Sequence, residues 1–327
     1  MAEKGKQDGS EVRLTEKQKK LLKELRGQVE SQRKEKDSTK KTLRLIIIIV
    51  LAVCIGLSFL KKPQVYPAEG ELQVHFIDVG QGDCIYIAAG RQNMLIDCGE
   101  SSSIDKVLSY LNGLGVTSLD YVIGTHPHSD HMGGMSSIVE TYDIGEFIIL
   151  HLADEDIPTA SYFLKFLNAA EKYDVKLAEA ETGREFTVGD AHCEIIAPNG
   201  EGYNDLNDYS VSVMLRHGEN SFIFTGDAEA VSEKEMIASG RLTHADVYKA
   251  GHHGSNSSGH PEFLSIISPE IAVISCGAGN YYGHPKDATL ERLSVYTDNI
   301  FRTDLCGNIL IKSDGNELTV STERSSR

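Results

Sequence analysis

The loop that follows Tyr121-Val-Ile-Gly-Thr constrains this chain more than any other segment. It reads His126-Pro-His128-Ser-Asp130-His131-Met-Gly-Gly134, an apolar strand running into three His and one Asp within six positions. With 12 His in 327 residues, such a group at fixed spacing arises by chance in on the order of one chain in a thousand. A lone His is most often a satisfied core or surface residue. Clustered imidazoles beside a carboxylate are instead the donors that a borderline divalent cation prefers. In an extended loop His126 and His128 point the same way and can clamp one ion, while Asp130 and His131 can turn toward a second. Two neighbouring ions can share a hydroxide made nucleophilic at neutral pH. The chain must therefore fold so that strand ends deliver side chains to one place. Its composition, 24% charged and 40% hydrophobic, agrees with a globular protein and excludes a collagen-like or largely disordered one.

Other strand ends supply further donors. Asp227 closes Phe222-Ile-Phe-Thr-Gly-Asp227 and is well placed to bridge both ions. Val247-Tyr-Lys-Ala-Gly-His252-His253-Gly-Ser255 offers another imidazole, with His252, directly after Ala-Gly, favoured over His253. Tyr282-Gly-His284-Pro offers a later one, and Ser255 with Asn256 could contact phosphate or simply form a turn. An internal echo supports this reading. Cys84–Gly99 reads strand, polar turn, strand, then Asp97; Ser210–Asp227 repeats the order and ends on Asp227. A strand end opening into a loop is where a rigid scaffold presents a ligand. Helices are expected at 104–111, 160–173, 232–239 and 286–296, and a closing hairpin at 308–321 around Asp314-Gly315.

At this point the sequence resembles the metallo-β-lactamase superfamily, whose motif His-x-His-x-Asp-His is matched by His126, His128, Asp130 and His131. More narrowly it resembles the soluble hydrolase domain of ComEC-type competence proteins. That likeness rests on His75-Phe-Ile-Asp78-Val-Gly-Gln-Gly-Asp83, Met94-Leu-Ile-Asp97-Cys-Gly99, Asn207-Asp-Tyr-Ser210, Thr225-Gly-Asp227, His252-His-Gly-Ser255 and Gly283-His-Pro285, and it spans residues 71–323. The resemblance implies an α/β fold, an αββα sandwich with the metals at one edge of the sheets. It implies two divalent ions, Zn or Mn. His126 and His128 would hold the first, Asp130 and His131 with His252 the second, and Asp227 would bridge them. Asp97 would support the ligand loop, with Asp78, Asn207, Ser210, His253 and Ser255 around the ligands or against substrate. One departure stands out: many members place a third His between the cluster and the bridging Asp, and here that stretch reads Asn207–Ser210.

Charge and hydropathy divide the chain. Residues 1–44 hold 14 basic and 8 acidic residues, whereas 63–327 hold 16 basic and 40 acidic, a net charge of -24. Between them Leu45–Leu60 runs sixteen residues without a charge. As a helix it would span about 24 Å, which flanking Arg44, Lys61 and Lys62 can extend by snorkelling. The expected organisation is a basic cytoplasmic tail (1–44), one transmembrane helix (45–60), a linker (61–70) and a hydrolase domain (71–323). The basic residues before the run put the N-terminus inside and the catalytic body outside the cell membrane. Five cysteines beyond Cys54, with no C-x-x-C, argue against a disulfide framework.

These readings converge on a membrane-anchored, metal-dependent hydrolase, a phosphodiesterase or nuclease with DNA among its substrates. A metal-bound hydroxide would attack phosphorus, Asp130 would orient or deprotonate the water, and His284 would protonate the leaving oxygen. The acidic body speaks partly against a polyanion, leaving a small basic rim near Lys249 and Lys286 to offset it. The alternatives are a hydrolase of a small ester, lactone, lactam or wall-polymer phosphodiester, and an anchored binding protein with weak catalysis.

Overall fold

A computed structural model describes residues 16–58, 65–151 and 158–325. The chain divides into two compact units, Met1–Lys62 and Pro63–Arg327. Among the described residues, the first is α1 (Glu16–Ser58). The transmembrane helix expected at Leu45–Leu60 is not established by this structure. Among the described residues no helix is long and apolar enough to cross a membrane, and the side chains of the run from residue 52 onward lie outside them.

The second unit begins with β1 (Leu72–Phe76), β2 (Ile85–Ala89), β3 (Gln92–Ile96), α2 (Ile104–Gly113), β4 (Ser118–Gly124), α3 (Ser129–Met132), α4 (Met135–Thr141), β5 (Asp143–Ile149), α5 (Ser161–Lys172) and β6 (Leu177–Glu179). It continues with β7 (Glu185–Val188), β8 (Ala191–Ala197), β9 (Ser212–His217), β10 (Asn220–Phe224), α6 (Ala230–Ala238), β11 (Val247–Lys249), α7 (Pro261–Ile267), β12 (Ile271–Ile274), α8 (Asp287–Ser294), β13 (Ile300–Arg302) and α9 (Thr303–Cys306). The chain closes with β14 (Ile309–Ser313) and β15 (Leu318–Thr322). Two sheets result, in the orders β15-β14-β1-β2-β3-β4-β5-β6 and β13-β12-β11-β10-β9-β8-β7.

Three hydrophobic clusters explain the layering. Between the sheets, Val74, Phe76, Ile87, Met94 and Ile96 meet Ile195, Val213, Leu215, Phe222 and Phe224. The alternate residues of the first sheet, Tyr86, Ala88 and Leu95, pack outward on Val107, Leu111, Ile138, Phe163 and Phe166 of α2, α4 and α5. Those of the second, Met214, Ile223, Tyr248 and Ile274, pack on Met236, Phe263, Leu264 and Leu293 of α6, α7 and α8. A sheet covered on both faces needs apolar residues at every position, which is why Ile271-Ala-Val-Ile and Phe222-Ile-Phe read as continuous runs. The product is the expected α/β sandwich in αββα order.

The sequence echo is a structural repeat. β2 and β3 form an antiparallel hairpin that continues into parallel β4, and β9 and β10 form one that continues into parallel β11. Asp97 follows the first hairpin and Asp227 the second. The C-terminal hairpin also forms, and β14 pairs with β1 so that Leu72 faces Ser313. β6, β7, β13, α3, α4, α7 and α9 were not foreseen; five of them are four residues or fewer, too short for either periodicity to show. The five described cysteines are buried thiols.

Candidate metal centre

Loops at the ends of β3, β4, β10 and β11 meet at one edge of the sandwich, tied by backbone hydrogen bonds. Asp97 N–H donates to Ile123 O at 2.9 Å, Cys98 N–H to His131 O at 2.8 Å, Val211 N–H to Thr125 O at 2.9 Å and His252 N–H to Gly226 O at 3.2 Å. Asp97 itself sits at φ 56, a left-handed conformation that Asp tolerates better than most residues. That twist turns its buried carboxylate back under the ligand loop. Oδ1 accepts from Thr125 N–H at 2.9 Å, and Oδ2 lies 2.7 Å from both Thr125 Oγ1 and His131 Nδ1. With Nδ1 engaged, His131 presents Nε2 to the centre, 3.2 Å from Asp227 Oδ2. Asp97 thus lies behind the ligand loop, bonded to Thr125 and His131.

The loop is not extended throughout. His128 is extended (φ -79, ψ 153), and α3 begins directly after it, with His131 and Met132 N–H returning to His128 O. His126 and His128 therefore share one side, with His126 Nε2 3.0 Å from His128 Nδ1. Ser210 lies beneath this pair. Its Oγ accepts from Asp227 N–H at 3.0 Å and stands 3.4 Å from His126 Nδ1. The helical turn swings Asp130 and His131 toward the second group.

That second group contains a residue the sequence reading left without a role. Donor atoms of Asp83, His131, Asp227 and His253, all buried, lie within 4.8 Å of one another. Asp130 Oδ2 is 3.2 Å from His253 Nε2. His253, not the favoured His252, takes the inner position. Both adopt left-handed backbone, φ 45 for His252 and 53 for His253. The double twist drives the His253 ring inward, where Nδ1 donates to Ser275 O at 2.9 Å and Nε2 is 3.3 Å from Asp227 Oδ2. His252 stays at the cavity lip. Its Nδ1 is 2.9 Å from Glu229 Oε1, which also accepts from Ser257 Oγ at 2.7 Å, and its Nε2 is 3.7 Å from Asp227 Oδ2.

The donor set fits a divalent cation. Asp83 Oδ1 and Asp227 Oδ1 are buried with no hydrogen-bond partner, although native proteins satisfy nearly all such atoms. Burial alone would raise both acids. The His131 and His253 rings nonetheless hold Asp227 well below the usual carboxylate range, and Lys249 and His253 hold Asp83 below it. Conversely His131 and His253, against the effect of burial, are held well above the ordinary imidazole value by Asp227 and its neighbours. Burial, helped by His131, pushes His126 well below. So much opposed charge, out of water, is what a bound cation neutralises.

The ligands open into a cavity of about 270 Å³ whose walls include Gln81, His128, Asp130, Tyr162, Asn207, Asp227, His252, His253, Tyr282 and His284. Asn207 reaches it, with Oδ1 buried and unpartnered. Two expected residues do not. Asp78 accepts from Gly80 N–H and pairs with Arg324 Nη2 at 2.9 Å, lining a separate cavity with Lys106 and Tyr110. Ser255 Oγ instead bonds Ser257 Oγ at 2.9 Å. Two further expectations are corrected by burial. Lys249 is not on a rim but wholly buried, Nζ 2.5 Å from Asp83 Oδ2. His284, held down at about 4 by burial and by His252 and His253, is a neutral imidazole near pH 7 and not a ready imidazolium. Asp83 could have been found from Gly80-Gln-Gly82-Asp83, a third strand-to-loop junction ending in Asp. Glu229 and Tyr162 carried no signal beyond their residue types.

With this geometry in hand, the comparisons with known proteins are specific. A family model described as metallo-beta-lactamase superfamily matches residues 77–278. ComE operon protein 3 of Bacillus subtilis is 29% identical over 282 residues, covering 80% of this chain and 36% of that protein. Competence protein ComA of Neisseria gonorrhoeae is 28% identical over 248 residues, covering 75% of this chain and 33% of its own length. The chain thus spans about a third of the length of these relatives. Among solved structures, a mutant of CmlA beta-hydroxylase superposes with a TM-score of 0.53 at 13% identity, covering 76% of this chain and 55% of that one, a likeness of fold. The buried His/Asp centre at one edge of an αββα sandwich and the family match agree: this chain belongs to the metallo-β-lactamase superfamily, as a metal-dependent hydrolase resembling the ComEC-type competence proteins.

Proposed function

We propose that this chain is a phosphodiesterase that cleaves DNA outside the cell membrane, held there by Leu45–Leu60. The observation that carries this reading is the open polar cavity over the His/Asp centre, in which Asp130 and His284 both reach the space a substrate would fill. His126, His128 and Asp227 would hold one ion, Zn or Mn, and Asp130, His131, Asp227 and His253, with Asp83 behind them, the other. Bound ions supply Lewis acidity toward phosphoryl oxygens and lower the pKa of bound water. Asp130, fixed by His253 at 3.2 Å, orients the attacking water and accepts its proton. His284, which lines the cavity, offers a hydrogen bond to the leaving oxygen. Likeness to competence proteins supports DNA as the substrate.

The anchor has support of its own. Leu45 through Leu51 are seven consecutive apolar residues of α1, about two turns, so apolar side chains occupy every side of the helix there. A helix apolar all round belongs in a core or a bilayer. Protease added to intact spheroplasts should then degrade the body and spare the tail.

The full chain, loaded with Mn²⁺ or Zn²⁺, should hydrolyse heat-denatured DNA and bis(p-nitrophenyl) phosphate, and Asp130→Ala should reduce both at least about a hundredfold. Turnover of a lactone, lactam or carboxyl ester with neither phosphodiester cleaved would overturn it. The body charge of -24 favours that second reading, a hydrolase of a small ester.

A further inference from the structure

We infer that Tyr281 and Tyr282 form a stacking platform for an unpaired nucleobase beside the scissile phosphodiester, so that the substrate is single-stranded nucleic acid; the inference rests on the phosphodiesterase reading above. Tyr281 is fully exposed and Tyr282 is 59% exposed, on the loop that borders the cavity. Apolar ring surface left in water at a cavity mouth is an unspent contact.

The rings are also aligned with the centre. His253 lies near-parallel to His284 at 6.4 Å and 29°, and His284 near-parallel to Tyr282 at 5.7 Å and 24°. Tyr281 meets Tyr282 edge-on at 6.2 Å. A ladder of rings thus leads from a buried ligand to an exposed aromatic face, and a base stacked there would continue it. The loop is already fixed for the purpose. Asn280 Oδ1 accepts from His284 N–H at 2.9 Å, Asn280 Nδ2 donates to Gly277 O at 2.9 Å, and Lys286 Nζ donates to Tyr282 O at 2.6 Å. Little ordering is left for binding to cost.

Charge makes stacking the favoured means of recognition. A body at -24, with Lys249 buried, gains little from phosphate neutralisation. Base–aromatic stacking is indifferent to net charge and tolerant of sequence, and it requires a base out of the duplex. A tyrosine platform therefore selects single strands or frayed ends where a basic groove would accept a duplex.

The test measures binding with the metal chelated, so that nothing is cleaved. Fluorescein-labelled oligothymidylate and an abasic oligomer of equal length and charge are titrated with the full chain, followed by anisotropy. The wild type should bind oligothymidylate at least about fivefold more tightly than the abasic strand. The preference should vanish in the Tyr281→Ala/Tyr282→Ala variant and persist in Tyr281→Phe/Tyr282→Phe. Oligouridylate should bind about as tightly as oligothymidylate, since a stacking platform treats RNA and DNA alike. Equal affinity for the abasic strand, equal or better binding of duplex, preference for a hexose polymer, or a preference surviving the alanine pair would each overturn the inference. Wild-type turnover of bis(p-nitrophenyl) phosphate separates that failure from failure of the phosphodiesterase reading.

Discussion

Asp97 illustrates how much one side chain decides. It is buried and does not line the cavity, yet it engages Thr125 twice and fixes the His131 ring at 2.7 Å. Asp97→Asn keeps the shape and removes the charge. We expect it to weaken metal binding about 10–100-fold, measured by chelator competition. His75 makes a different case. It is buried, with Nδ1 2.9 Å from Tyr110 Oη and Nε2 3.2 Å from Gln73 Oε1. Burial, and then Lys312, lower it to about 4. A depressed His binds its proton more readily when unfolded, so its stability contribution is complete above pH 6.5 and lost as pH falls toward 4. Going from pH 7 to pH 5 should destabilise the wild type by about 2 kcal/mol more than His75→Gln, measured by urea unfolding. The residue types at the centre were legible because three His and an Asp in six positions have few other uses. The choice between His252 and His253 was not, since it depends on two left-handed residues in succession that spacing does not reveal.

Among the elements, the hairpins and the strands buried on both faces were readable as apolar runs, and the echo between Cys84–Gly99 and Ser210–Asp227 correctly paired β2 with β3 and β9 with β10. Connections were harder. The loop between β1 and β2 brings Asp83 to the centre through Gly80 and Gly82, at φ 81 and 128. At Gly82 a Cβ would overlap the Asp130 carbonyl oxygen, which accepts from Asp83 N–H at 3.1 Å. Gly82→Ala should therefore cost about 2 kcal/mol or more and displace Asp83 and Asp130 together, read as a lower melting temperature and a loss of the melting shift on adding Mn²⁺. The sequence reading puts Lys249 on a basic rim, yet it is the last residue of β11. It is buried because β11 lies between β10 and β12 in the interior of its sheet.

At the scale of the whole molecule the chain forms two compact units, Met1–Lys62 and Pro63–Arg327, and the second contains all three clusters. Residues 63–327 expressed alone should fold and melt within a few degrees of the same unit in the full chain, by calorimetry. Its binding to oligonucleotides should weaken only shallowly with salt, with a slope in log K against log salt well short of that of a basic DNA-binding domain. The first sheet has a further consequence. Its second-formed neighbour for β1 is β14, so residues 72 and 313 must find each other before the sheet is whole. A chain made from its N-terminus carries an open edge until its final hairpin has emerged. Were the body exported, as we propose, that delay would be an asset: a polypeptide unable to finish folding before its last strand remains thin enough to thread a translocation pore.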